Sequence, residues 1–171
     1  MVKRHSDKII NTTQKGFSLI ELLVVVAIIG ILAAVGAAVI PGLLENAKIN
    51  ATKANHKLVT DYIGAELIKC EFGGDNNSNT IMKGYLKCED KKYNNTICKA
   101  AVRALQGFGA SYNKNFRNPY ITNIPGLTSG NLNSCNDLVK GTVVVRDNKT
   151  TITIVTCASA TEKLVSTIQI E

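Results

Sequence analysis

The stretch KGFSLIELLVVVAIIGILAAVGAAVIP, Lys15 to Pro41, decides how this chain is read. From Phe17 to Ile40 it runs for 24 residues with one ionisable side chain, Glu21. As a helix that length spans roughly 36 Å, more than the hydrocarbon core of a bilayer requires. The basic leader before it stays cytoplasmic by the positive-inside rule and sends the rest of the chain outward. A carboxylate inside such a segment costs up to about 2.5–3.5 kcal/mol at mid-membrane and ordinarily marks a function.

Three readings compete for this segment. A plain signal anchor explains length and orientation but gives Glu21 no purpose. A cleaved secretory signal, with Val35-Gly36-Ala37 as its small-residue cleavage site, has Glu21 interrupting its apolar core. If the chain is instead cut between Gly16 and Phe17, a new α-amino group arises four residues from Glu21. That amine has an ordinary pKa of about 7.7–8.0 and is largely cationic at neutral pH. Glu21 then has a partner, in its own chain across one helical turn or in the next copy of an assembly.

The residues KGFSLIELLVVVAIIGILAA closely resemble the N-terminus of type IV pilin precursors, the class III signal. The resemblance implies cleavage after Gly16 by a membrane prepilin peptidase, N-methylation of Phe17, and an assembly role for Glu21. The family's recurring glycine falls on Gly30. It also implies a homo-oligomeric helical filament, an inner-membrane assembly platform with cytoplasmic ATPases, and passage from the inner membrane as precursor to an extracellular pilus. The pattern departs at Ala38, where the family commonly has proline; Pro41 lies three residues later. The resemblance covers roughly residues 15–35 and leaves the remainder unassigned.

The resulting organisation is a leader at 1–16, a transmembrane or filament-core helix at 17–41, and a periplasmic or extracellular head at 42–171. Leu44, Ala47, Ala51, Ala54, Leu58, Tyr62 and Ala65 recur at helical spacing, so the helix is expected to continue toward Lys69 and to lay this face on the head. Joined to the anchor it is a rod of about 53 residues, roughly 80 Å. One small head cannot enclose such a rod, so its first half needs lipid or other copies for cover. Gly30, Gly36 and Pro41 weaken it, and partial unwinding there is expected in a packed filament.

In the head, Glu71 to Thr80 reads as a loop and Ile97 to Gln106 as a short helix ended by Gly107. Residues 107–136 read as an irregular surface loop. GTVVVRDNKTTITIVTC predicts two strands, Thr142 to Arg146 and Thr150 to Thr156, about Asp147-Asn148-Lys149, and KLVSTIQIE a third. The expected fold is α+β, with an antiparallel sheet on the C-terminal half of the long helix; the pilin resemblance implies the same arrangement.

All five cysteines, Cys70, Cys88, Cys98, Cys135 and Cys157, follow the apolar segment, which places them in an oxidising compartment. Pairing Cys135 with Cys157 closes the base of the predicted hairpin, worth about 3 kcal/mol by loop entropy, and is similar to the C-terminal disulfide-bounded loop of pilins. Cys70–Cys88 and Cys88–Cys98 remain rival second pairings, and an odd thiol is left over.

Of the net charge of +7, residues 1–16 supply +3 through Lys3, Arg4, Lys8 and Lys15 against Asp7, leaving +4 for residues 17–171. A mildly basic head weakens a nucleic-acid reading, which needs a concentrated patch. Lys87, Lys91, Lys92, Lys99, Lys114 and Arg117, with Tyr93, Tyr112 and Phe116 interleaved, would suit DNA, but a soluble charged surface is the preferred reading. No phosphate loop, nucleophile elbow or zinc-type spacing is present, and no cofactor, metal or catalytic residue is expected. The favoured function is the structural subunit of a type IV pilus, serving adhesion, motility or DNA uptake. The alternatives are a minor pilin that primes assembly or binds DNA, a type II secretion pseudopilin, and an unrelated signal-anchored domain.

Overall fold

The computed structural model describes residues 16–75, 79–106, 116–132, 134–136 and 139–171. The chain divides into two units, Met1–Pro41 and Gly42–Glu171. Helix α1, Leu19–Glu71, is 53 residues long and contributes to both.

In the first unit α1 is apolar on every side, and its large side chains, from Leu19 to Ile40, are exposed. The helix is continuous through Gly30, Gly36 and Pro41. Proline removes one donor, but the surrounding aliphatic residues keep helical backbone geometry on either side.

The second unit has α1 from Gly42 onward, a hairpin of β1 (Thr80–Ile81) and β2 (Leu86–Lys87), a 3-10 turn at Cys88–Lys92, and α2 (Thr96–Gln106). A four-stranded sheet follows: β3 (Leu127–Ser129), β4 (Val143–Asp147), β5 (Thr151–Cys157) and β6 (Lys163–Gln169), in that spatial order. β4, β5 and β6 form an antiparallel meander, whereas β3 runs parallel to β4. The sheet is therefore mixed, not wholly antiparallel. β3 lies inside the segment read as an irregular loop, because three residues between glycines carry too little pattern to register as a strand. Residues 107–115 of that segment are outside the described residues.

Alternation along the strands divides the sheet into two faces. Val143, Val145, Ile152 and Ile154 are fully buried and join Leu127, Val59 and Ile63 of α1, and Ile97, Ala101 and Ala104 of α2, in one core. The face of α1 that meets this core is Thr52, His56, Val59, Ile63 and Glu66. Of the predicted face only Tyr62 packs against this core, half-buried. Ala47, Ala51, Ala54 and Ala65 are not among its buried residues, and Leu44 and Leu58 are 54% and 49% exposed. The reason lies in the polar members of the buried set. His56 bonds through Nδ1 to Thr156 Oγ1 (2.9 Å) and through Nε2 to Ser166 Oγ (2.8 Å), on the core faces of β5 and β6. Glu66 accepts the backbone N–H of Met82 and an ion pair from Lys69. Hydrogen-bond partners outweigh a few alanines in choosing the buried face.

Further ties fix the periphery. Lys53 pairs with Glu162 at 2.7 Å, and the Tyr120 hydroxyl donates to the Ala158 carbonyl at 2.7 Å. The Asp147 carboxylate, buried at the end of β4, accepts the N–H groups of Ile97 (3.2 Å) and Cys98 (2.8 Å) and so caps α2. Asn148 Oδ1 accepts from Thr150 N (2.9 Å) and Thr151 N (2.7 Å), which folds the β4–β5 turn. Gly74, at φ +77°, sits where an added Cβ would lie 2.6 Å from Thr80 N. Disulfides join Cys70 to Cys88 and Cys135 to Cys157, and Cys98 is a buried thiol. The rival Cys88–Cys98 pairing is not formed.

Candidate processing and assembly site

Gly16, Phe17 and Ser18 precede the helix in non-helical backbone, so the Gly16–Phe17 bond lies two residues before α1 begins. Phe17 is 85% exposed. The bond thus lies in exposed, non-helical backbone.

Glu21 occupies the first turn of α1 and is held there by Ser18. The Ser18 N–H donates to Glu21 Oε2 at 2.9 Å, and the Glu21 N–H donates to Ser18 Oγ at 3.2 Å. This reciprocal pair is a capping box, with Ser18 as the N-cap, and the first helical bond runs from Leu22 N–H to the Ser18 carbonyl at 3.3 Å. Two donors that would otherwise lack partners are satisfied. The carboxylate is bent back toward the chain end and sits beside the residue whose nitrogen becomes the amine if Gly16 is removed. Phe17, Ile20, Val24 and Val25 line a shallow apolar hollow with Glu21 as its one charged member.

Ser18 is the site residue that the sequence-based reading omits. Its signal is S-x-x-E opening an apolar run, but the charge of Glu21 points first to an amine partner and only second to a helical one. Gly30, Gly36 and Pro41 lie along the same exposed helix and make no cluster with Glu21.

A model of the prokaryotic N-terminal methylation motif matches residues 11–37. The match supports a class III signal, similar to that of type IV pilin precursors. That signal with a long N-terminal helix and a sheet-bearing C-terminal region is the α+β arrangement of the pilin fold. No curated protein and no solved structure matches the chain. Among the described residues one helix, α1, is long and apolar enough to cross a membrane, its best window having a mean hydropathy of 3.0, and with the signal this fits a membrane-anchored, pilin-like or pseudopilin precursor.

Of the residues considered for DNA, Phe116 is buried, Tyr93 is 63% exposed, and Tyr112 and Lys114 lie outside the described residues. Among the described residues no group of three His, Cys, Asp or Glu side chains is placed to hold a metal.

Proposed function

We propose that this protein is the structural subunit of a type IV pilus. It is cleaved after Gly16, N-methylated at Phe17, and polymerised through α1 into a surface filament. The observation that carries the reading is Glu21, bonded to Ser18 at the start of a helix whose large apolar side chains, from Leu19 to Ile40, are exposed among the described residues. The same carboxylate can leave its capping bond and neutralise the new amine of an incoming copy, which makes subunit addition dependent on processing.

The exposed α1 face extends this reading into the head. Leu44, Ala51, Leu58 and Ala65 recur every seven residues, with Ala47 and Ala54 between them at coiled-coil spacing and Asp61 interrupting that second series before Ile68. Alanine at such positions lets helices approach closely, so another copy of α1 is the fitting cover. A head tied by Cys70–Cys88 and Cys135–Cys157 favours the pilus subunit over a secretion pseudopilin.

The test is the intact mass of protein sheared from the cell surface, with and without reductant. The expected species begins at methylated Phe17 and gains four hydrogens on reduction, two per disulfide. A chain starting at Met1 in membranes, or near Ala38 in the medium, overturns the proposal.

A further inference from the structure

β6 is the last strand of its sheet, and one of its flanks has no neighbouring strand. The ladder decides which backbone groups lie on that flank. The Ile170 N–H donates to the Thr150 carbonyl at 2.8 Å, and the β5–β6 register continues from there without a break. Leu164, Ser166, Ile168 and Ile170 therefore direct their backbone groups toward β5. Lys163, Val165, Thr167 and Gln169 direct theirs the other way, and among the described residues nothing bonds to them.

The flank is open in the packing as well. The inward side chains of β5, Ile152, Ile154 and Thr156, are fully buried, whereas Leu164, Ser166 and Ile168 on the same face of β6 are only half-buried. A hollow of about 260 Å³ lies between Ile168 and Ile170 at the end of β6 and Gly64, Leu67 and Ile68 of α1. On the outer face Val165 is 57% exposed. Sheet edges are ordinarily blunted by proline, a bulge or an inward-pointing charge. β6 has neither proline nor bulge, and its inward residues carry no charge. Its charges stand instead at the two ends of the exposed series, Lys163 at one and Glu171, which continues the alternation, at the other.

We infer that β6 is a docking edge for β6 of a second copy of this chain, the two strands pairing antiparallel about Thr167. In such a ladder the outward-directed residues must face one another, so the register can change only in steps of two. Charge then selects one register. With Thr167 opposite Thr167 of the second copy, Lys163 faces Glu171 of that copy and Val165 faces its Gln169, and the two-fold axis repeats each pair. A shift of two residues loses both charge pairs at once. On the inner face the same register sets Leu164 of the second copy against Ile170, beside the hollow, where an apolar side chain is suited. The facing pairs from Lys163 to Glu171 exchange about ten backbone hydrogen bonds. Being two-fold, the contact closes on itself and joins heads in pairs. It is separate from the cover proposed for α1 and requires only the folded head.

The experiment uses the full chain in detergent carrying Thr167→Cys, which sets two thiols opposite each other with Cα atoms about 5.5 Å apart, within disulfide reach. Mild oxidation is expected to give a covalent dimer on non-reducing gels, while Lys149→Cys, exposed at the β4–β5 turn, gives little. Adding Lys163→Glu places like charges opposite at both ends and is expected to slow the cross-link about tenfold. Adding Glu171→Lys as well restores the pairs in exchanged positions, and the rate with them. Val165→Pro removes one outward N–H and no bond to β5, so it is expected to abolish the dimer while native melting is kept. No dimer from Thr167→Cys, equal cross-linking from Lys149→Cys, a dimer that survives Val165→Pro, or no recovery in the charge exchange overturns the inference.

Discussion

The Ser18 N–H donates to Glu21 Oε2 at 2.9 Å while the Glu21 N–H returns a bond to Ser18 Oγ, so the one acid of the apolar segment is also its helix cap. Two substitutions separate those duties. Glutamine serves in a capping box through its side-chain oxygen but carries no charge. Glu21→Gln is therefore expected to keep helix initiation and processing while abolishing surface filaments. Ser18→Ala removes one cap bond, worth about 1 kcal/mol, and is expected to lower filament yield without stopping it. Electron microscopy of shear fractions with mass analysis of the membrane pool checks both; normal filaments from Glu21→Gln would reduce the residue to a cap.

Leu58 and Val59 are neighbours with opposite fates, one 49% exposed and the other fully buried. Leu58→Asp is expected to leave the melting temperature of the solubilised chain almost unchanged, within about 0.5 kcal/mol as for surface sites, and to block filament assembly. Ile63→Ala, on the buried face, is expected to cost about 2–5 kcal/mol of head stability. If Leu58→Asp unfolds the head, the assignment of the two helix faces is wrong.

His56 makes stability depend on pH. Burial lowers its pKa below the ordinary 6.5, so the unfolded chain takes up a proton at a pH where the folded chain does not. Its contribution is complete above about pH 6.5 and is lost as pH falls toward the depressed value, with a slope of at most about 1.4 kcal/mol per pH unit. Thermal melts between about pH 7 and pH 5 should show this decline, and His56→Gln should flatten it. An unchanged slope in the variant would place the pH dependence on other groups.

Asp147 and Cys98 are coupled across the start of α2. The carboxylate caps the helix, and burial followed by that neighbouring charge pushes the Cys98 thiol up to about 12. Cys98 should resist alkylation at neutral pH until the head is denatured. Asp147→Ala leaves two α2 donors without partners, a cost of about 1–3 kcal/mol, and should make Cys98 alkylation many times faster. Peptide mapping after brief alkylation reads both effects.

The anchor, the long helix, α2 and the β4–β5–β6 meander are legible in the sequence because each repeats one strong local signal over many residues. Leu44, Ala51 and Leu58 mislead because hydrophobic spacing shows that a helix has an apolar face but not which partner covers it. Thr52, His56 and Glu66 have no apolar signature, and for His56 only the hydroxyls of Thr156 and Ser166, about a hundred residues away, make its side the inner face. Asp147 sits in what reads as a solvated turn; its partner, the start of α2, is distant in sequence, so burial cannot be inferred locally. β3 depends on pairing with β4 and has little preference of its own.

The helix-to-sheet contact also has a mechanical meaning. Greasy surfaces slide, since an apolar side chain displaced by one turn finds another apolar neighbour. Here the two imidazole nitrogens of His56 meet hydroxyls on two different strands, and Glu66 reaches a single backbone N–H, so an axial shift of one helical turn would strand all of these groups at once. A pull along α1 is thus met by a keyed joint, and the Cys70–Cys88 bond behind it keeps the helix end from tearing away from the 3-10 turn at Cys88–Lys92.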